Sequence, residues 1–169
     1  MMRLTRIAFL GLGLLGLSAL AVADGQAGRS PNGIELPAGF KDWKVIGVSH
    51  RTDNNTLRAI VGNDTAVAAA RSGNIDPWPN GAVLAKIVWK AETDKHWNTA
   101  IVSGDFVHVE LMVKDATKYA ATGGWGYARW KGKELKPYGT DANFVQECVG
   151  CHAPLKSQDY VFTRPAFVP

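Results

Sequence analysis

Residues 147–152, Glu147-Cys148-Val149-Gly150-Cys151-His152, lie close to the end of a chain of 169 residues, and the rest of the chain must fold around them. Two thiols separated by two residues project from one turn of a helix, so both can form thioether bonds to the vinyl groups of one haem. The adjoining His152 is then placed to bind the iron as the proximal ligand. We therefore predict one covalently bound haem c per chain.

A redox disulfide and half of a zinc site are the alternatives for Cys-x-x-Cys. A redox motif of the thioredoxin type would belong near the start of a βαβ unit, whereas this one stands near the C-terminus. A zinc site would need a second pair of thiols. Cys148 and Cys151 are the only cysteines of the chain, so the haem uses both and no disulfide forms.

The first 23 residues have the composition of a secretory signal peptide. Arg3 and Arg6 give it a positive start, residues 7–22 are apolar, and Ala21-Val22-Ala23 forms an A-x-A cleavage site. An uncleaved membrane anchor is the alternative, but the apolar run is short and rich in glycine. Haem c is attached outside the cytoplasm, so export agrees with the haem motif. We predict a periplasmic protein that has no membrane attachment after cleavage.

Cleavage after Ala23 leaves 146 residues, enough for one compact domain. These residues include 17 basic and 15 acidic side chains, a balance that predicts no nucleic-acid or membrane partner. Residues 24–39 are rich in Gly, Pro and Ser, and we expect a flexible N-terminal lead-in there. Residues 40–169 form the predicted mono-haem domain.

Alternating apolar and polar residues predict that this domain consists mainly of β-strands. The five predicted strands are residues 43–49, 57–62, 82–90, 105–114 and 124–130. A short helix should follow the second strand at about residues 65–72, because the capping residues Asn63-Asp64-Thr65 precede it and Gly73 follows it. A last helix at about residues 141–151 should carry the haem motif. The predicted fold class is therefore α+β, with an antiparallel sheet of about five strands.

The sequence does not fix a sixth iron ligand opposite His152. In an electron-transfer cytochrome c a methionine far downstream of the motif fills that position, but the residues after His152 include no Met. Met112 lies within a strand, where core packing is the ordinary role of methionine. His50, His96 and His108 are further candidates, although each is more simply an ordinary strand or loop histidine. We expect a five-coordinate iron with an open face for a small molecule.

Lys86 is the first of three charged residues within apolar strands. By alternation it shares a strand face with Ala82, Leu84 and Val88, where an ammonium group is costly unless it has a role. A lysine that reaches out to solvent, or one on an edge strand, is the alternative.

Glu110 is the second such charge. By alternation it shares a face with Phe106, His108 and Met112, and its carboxylate is suited to act near an open iron site; a solvated strand face is the alternative. Arg58 is the third, within the apolar segment at residues 57–62.

Five segments of the chain together resemble the cytochrome P-460 family, which also contains the gas-binding cytochromes c′-β. They are Leu57-Arg58-Ala59-Ile60-Val61, Asn80-Gly81-Ala82-Val83-Leu84-Ala85-Lys86, Val109-Glu110-Leu111-Met112-Val113-Lys114-Asp115, the haem motif, and Asp159-Tyr160-Val161-Phe162-Thr163. The resemblance covers most of the mature domain. Its most distinctive element is the glycine turn leading to Lys86, because in cytochromes P-460 the lysine at this position is covalently cross-linked to the haem macrocycle.

The resemblance implies a sheet-rich homodimer in the periplasm with a five-coordinate haem. It implies oxidation of hydroxylamine, with electrons passing to a periplasmic acceptor such as a small cytochrome c, or binding of nitric oxide. By position Lys86 matches the cross-linking lysine, Glu110 a distal carboxylate suited to proton transfer, and Arg58 a distal arginine. The alternatives are a c′-β-like protein that binds nitric oxide or carbon monoxide without catalysis, and a simple electron carrier.

Replacing Cys148 and Cys151 together by Ala tests whether these thiols carry the haem. We expect acidic organic solvent to extract haem from the double variant but not from the parent matured in a host that assembles cytochromes c, because thioether bonds survive this treatment. Haem staining of denatured protein is the measurement. A parent without covalent haem would contradict the prediction, and haem retained by the double variant would identify Lys86 as an independent covalent anchor.

Overall fold

A computed structural model describes residues 27–167 of the protein. The predicted signal peptide, residues 1–23, lies outside the described residues, as do residues 24–26 of the predicted lead-in. Within the described part of the lead-in, Ile34 and Leu36 are buried against the sheet. In residues 27–167 no helix is long and apolar enough to cross a membrane.

Six antiparallel strands form one sheet, and each strand pairs with its neighbours in sequence. They are β1 (Lys44–Arg51), β2 (Thr56–Gly62), β3 (Val83–Thr93), β4 (Ile101–Lys114), β5 (Trp125–Lys131) and β6 (Lys136–Pro137). The predicted α+β class with an antiparallel sheet is confirmed. The additional strand, β6, has only two residues, which is too few for an alternating pattern to reveal.

Within residues 27–167, two α-helices complete the fold at the predicted places. α1 (Asp64–Ser72) follows β2, begins at an Asn63 side chain that accepts a hydrogen bond from a backbone N–H, and ends at Gly73 with a φ of 74°. Such a left-handed residue favours glycine at the end of a helix. α2 (Val145–His152) carries the haem motif and continues into a 3-10 helix at Ala153–Gln158.

The two faces of the sheet pack against different parts of the chain. On one face, Ala85, Val109 and Leu111 form a cluster with the lead-in, and we call this the lead-in face. On the opposite face, Leu84 and Tyr127 belong to a cluster that includes residues of α1 and contacts α2. We call this the helix face. Because side chains alternate along each strand, the even-numbered residues from 84 to 88 and from 108 to 114 share the helix face.

One predicted member of the helix face is on the other side. The register between β3 and β4 shifts by one residue, so that Val88 pairs with His108 but Trp89 pairs with Phe106. Since alternation has a period of two, this bulge reverses the side on which Phe106 lies, and Phe106 packs in the lead-in cluster. The prediction that Phe106 shares a face with Glu110 is therefore wrong.

Asn63 joins α1 to the start of β3 through three hydrogen bonds. Its Oδ1 accepts from the backbone N–H of Ala66 and of Val83, each at 3.0 Å, and its Nδ2 donates to the carbonyl of Gly81 at 2.8 Å. The side chain thus caps the helix and fixes the chain that enters the central strands.

We expect Asn63→Ala to lower the free energy of unfolding by about 2 kcal/mol, because it leaves several polar backbone groups without a partner. Asn63→Asp keeps the oxygen that accepts from Ala66 and Val83 but sets a second oxygen against the Gly81 carbonyl, so its loss should be about half as large. Chemical denaturation of the haem-loaded protein measures both. Equal stability of Asn63→Ala and the parent would contradict the prediction.

Candidate functional site

Three charged side chains form one row across the helix face. Lys86 of β3 is the cross-strand partner of Glu110 of β4, and Glu110 is in turn the partner of Arg129 of β5. Directly opposite residues of antiparallel strands hold their side chains about 5 Å apart. The register of the sheet therefore brings a carboxylate between two cations, and we call Lys86, Glu110 and Arg129 the charged row.

Glu110 is bonded on both sides within the charged row. The Nε–H of Arg129 donates to its Oε1 at 2.6 Å, and the Lys86 ammonium group forms an ion pair with its Oε2. Burial by itself would raise the pKa of Glu110, but the charges of Lys86 and Arg129 outweigh burial and lower the pKa to about 2. In this arrangement Glu110 is a carboxylate at neutral pH and a weak base.

The ion pair with Glu110 explains how the ammonium group of Lys86 is accommodated on an apolar strand face. Its side chain is about one-third exposed rather than fully enclosed among aliphatic residues. Glu110 supplies the opposite charge that makes a half-buried ammonium group acceptable.

His108 extends the charged row on β4. Its Nε2 lies 3.4 Å from Oε1 of Glu110. Burial lowers the pKa of His108 to about 4, although the neighbouring Glu110 favours the protonated ring. His108 is therefore neutral at pH 7. Because the facing Glu110 carboxylate only accepts, Nε2 is the ring nitrogen that carries the proton.

Arg58 lies at the edge of the same face. It is the cross-strand partner of Val88 on β3, two residues from Lys86. Burial lowers the pKa of Arg58, as does the neighbouring Arg51, while Glu110 has the opposite effect. Its buried Nε has no hydrogen-bond partner among the described residues.

The haem motif lies over this same face. Cys148 packs against the cluster that contains Leu84 and Tyr127, and the His152 ring lies 5.2 Å from the Tyr127 ring. Burial raises the pKa of the Cys148 thiol, and the nearby Arg129 opposes that shift. The fold thus brings the thiols, the histidine and the charged row onto one side of the sheet.

His152 has the tautomer that an iron ligand requires. Its Nδ1 lies 2.6 Å from the backbone carbonyl oxygen of Tyr160. A carbonyl only accepts, so Nδ1 carries the proton and Nε2 keeps the lone pair. Burial lowers the pKa of His152, partly offset by the bond to Tyr160, so the neutral ring is favoured. Metal-bound histidines are held in this way by a second hydrogen bond.

The residues present fit a haem. Cys148 and Cys151 are both free thiols on one helix, and His152 presents its Nε2 lone pair. Phe162 is 57% exposed with its ring 5.1 Å from that of His152, an apolar surface of the kind that a bound group covers. The unpartnered Nε–H of Arg58 is a donor suited to a carboxylate, such as a haem propionate.

The family model described as Cytochrome P460 matches residues 37–163. The chain belongs to the cytochrome P-460 family. A comparison with curated proteins found no match. Membership confirms the family resemblance seen in the sequence, makes haem the cofactor of this cytochrome, and associates the chain with haem-based oxidoreductase activity. The matched span includes both the charged row and the haem motif.

Arg129 is a site residue of this cytochrome that the sequence analysis missed. It lies within the apolar segment of β5 and so carries the same signal that singled out Arg58, a charge inside an apolar strand. The structure brings Lys86 and Glu110 into direct contact and leaves Arg58 at the edge of their row.

Acid should destabilise the protein through His108. Its folded pKa of about 4 lies below the ordinary value of 6.5. As the pH falls, the unfolded state therefore binds the proton first. The stability that is present above pH 6.5 is lost as the pH falls toward 4. We expect the free energy of unfolding to fall by up to about 1 kcal/mol per pH unit in this window. Below about pH 4.5 Glu110, with its folded pKa of about 2, adds a further loss. Urea unfolding of the haem-loaded protein at several pH values measures the slope.

His108→Gln should reduce the slope between pH 6.5 and 4, because the titrating ring is gone. His96→Gln is the matched control, since His96 is exposed in the loop between β3 and β4 and its removal should leave the slope unchanged. A His108→Gln variant with the parent's slope would show that His108 does not cause the loss.

Proposed function

We propose that the protein is an exported mono-haem c-type cytochrome that oxidises hydroxylamine. The observation that carries the proposal is that the charged row and the haem motif share one face of the sheet. Haem iron supplies a redox couple and an open position for a small nitrogen ligand. A substrate held on this face meets a carboxylate, a neutral imidazole and two cations.

The motif residues hold the cofactor in this proposal. Cys148 and Cys151 form the two thioether bonds, and His152 is the proximal ligand through Nε2. The hydrogen bond to Tyr160 keeps the His152 proton on Nδ1, so that the ligating nitrogen stays unprotonated.

Glu110 is the proposed proton acceptor. Oxidation of hydroxylamine releases one proton for each electron withdrawn; the electrons go to an external one-electron acceptor, and the protons leave through Glu110. His108, with its Nε2 3.4 Å from Glu110, faces the carboxylate as a neutral polar neighbour. Arg129 holds the carboxylate in place through its 2.6 Å hydrogen bond. A positioned base of this kind contributes about 10²–10⁴-fold in rate.

Lys86 controls how good a base Glu110 is. While the ammonium of Lys86 is paired with it, Glu110 has a pKa of about 2 and accepts protons poorly at neutral pH. When the Lys86 nitrogen is bonded to the macrocycle, as in cytochromes P-460, the ammonium charge is lost and Glu110 keeps only Arg129 as a close counter-charge. The pKa of Glu110 then rises toward its ordinary range. The cross-link thus sets the basicity of the proton acceptor through one ion pair.

The same ion pair supports a second candidate function. With Lys86 free and charged, Glu110 stays too weak a base for turnover. The open site then binds nitric oxide or carbon monoxide without catalysis, as in the cytochromes c′-β. The state of Lys86 therefore separates the two candidates.

The remaining parts of the proposal rest on the predicted leader and on the family. The leader at residues 1–23 supports a periplasmic location without membrane attachment. The family supports a homodimer that delivers electrons to a soluble acceptor such as a small cytochrome c. The near-balanced charge of the mature chain supports the absence of a nucleic-acid partner.

Glu110→Gln and Lys86→Met test the assignment in haem-loaded protein. We expect the parent to show a strongly red-shifted ferrous Soret band and a mass deficit from the cross-link. Lys86→Met should lose both and keep its haem through the two cysteines. Glu110→Gln should keep both and oxidise hydroxylamine about 10²-fold more slowly, because the base is gone. Optical spectra, intact mass and turnover with an artificial one-electron acceptor are the measurements.

Glu134→Gln is the matched control, because Glu134 is an exposed carboxylate between β5 and β6 and its loss should change neither spectrum nor turnover. Unaltered turnover in Glu110→Gln would refute the proton-transfer role. A parent that shows no turnover and an unshifted Soret band, but takes up nitric oxide, would establish the second candidate.

A further inference from the structure

A second ion pair is buried on the helix face. Lys114 is 5% exposed and Asp159 is 7% exposed. The Lys114 Nζ lies 2.7 and 2.8 Å from the two carboxylate oxygens of Asp159. Two charges removed from water in this way contribute little net stability. Their pairing instead fixes the positions of the two residues.

Asp159 is held by three separate parts of the chain. Besides the ammonium of Lys114 on β4, its carboxylate accepts the backbone N–H of Trp78 at 2.8 Å. Its backbone carbonyl accepts the indole N–H of Trp125 on β5, also at 2.8 Å. Trp78 and Trp125 are both fully buried, and the Trp125 ring lies 4.9 Å from the Lys114 Nζ. The position of Asp159 is thus fixed from several directions.

The backbone at Asp159 and Tyr160 is left-handed. Their φ angles are 48° and 64°. Asp tolerates this conformation because its short polar side chain bonds locally, whereas Tyr does not favour it. Two such residues in succession persist only where the surroundings hold them. The carbonyl that this turn presents is the Tyr160 oxygen, the acceptor of the His152 Nδ1 proton.

We propose that Asp159, with its charge balanced by Lys114, is a positioning residue for His152. By anchoring the left-handed turn, it holds the Tyr160 carbonyl against Nδ1 and sets how strongly Nε2 donates to the iron. This inference rests on the proposed function, in which His152 is the proximal ligand.

The direction of the effect follows from ligand basicity. A strong hydrogen bond from Nδ1–H increases the basicity of the ligating nitrogen. A more basic ligand stabilises the ferric over the ferrous state, and it strengthens the bond to the iron. Loosening the turn should therefore raise the midpoint potential and lower the frequency of the iron–histidine stretch.

Two double variants isolate the turn from the charges. Lys114→Met with Asp159→Leu leaves no unpaired charge, but leucine cannot accept from Trp78 and disfavours a left-handed backbone. Lys114→Met with Asp159→Asn loses the same charges, yet asparagine keeps the oxygen and tolerates the turn. We expect only the Leu variant to shift the ferrous iron–histidine stretch downward in resonance Raman spectra and to raise the potential. The Asn variant should match the parent.

Two further variants complete the experiment. Lys133→Met with Asp105→Asn removes an exposed ion pair of the same composition and should leave both readouts unchanged. Trp125→Phe removes the indole N–H donated to the Asp159 carbonyl while keeping a buried aromatic ring. It should shift both readouts in the same direction as the Leu variant but less, and it decides the outcome where the Leu variant yields no haem protein.

The outcomes separate this inference from the proposed function. Parent values in both the Leu variant and Trp125→Phe would overturn the inference and leave the proposed function intact. Equal shifts in the Leu and Asn variants would also overturn it, because the effect would then come from charge alone. If replacing His152 left both the spectrum and the covalent haem unchanged, the proposed ligation would be overturned, and this inference with it.

Discussion

The carboxylate of Glu110, shared between Lys86 and Arg129, is the interaction on which the helix face depends. It joins three neighbouring strands at one level of the sheet. A register slip of one residue would send these side chains to the opposite face and bury them in the lead-in cluster. Because unpaired half-buried charges are strongly unfavourable, the pairing helps to select the register that also builds the site. The same ion pairs thus help to select the register of the sheet and also form the site.

Local signals in the sequence predicted most of the fold. Alternation revealed the five longer strands, and the capping residue Asn63 with Gly73 placed α1 almost to the residue. The start of β4 was missed, since Ser103 and Gly104 interrupt the alternation, and β6 is too short to show a pattern. The bulge that reverses Phe106 has no local signature, because it arises from pairing with β3.

The site was predictable only in part, for the same reason. The haem motif and the lone charges Lys86 and Glu110 could be found from spacing and strand parity. The pairing of charges depends on the register between strands, which the sequence does not show. The role of Arg129 was therefore not predicted. The pair of Lys114 and Asp159 joins residues that are 45 positions apart, a distance over which no periodic pattern carries information.

Strand β4 carries two residues, Glu110 and Lys114, that act on the site in different ways. Glu110 and Lys114 are four residues apart on its helix face, a separation of about 13 Å along an extended strand. Glu110 acts on the protons of the bound substrate in the proposed function, while Lys114 balances the charge of the residue that anchors the His152 acceptor. A single rigid strand thus holds the substrate-side base and the support of the proximal ligand at a constant spacing. A rigid connection of this kind keeps the distance between the proton acceptor and the iron ligand constant without any contact between them.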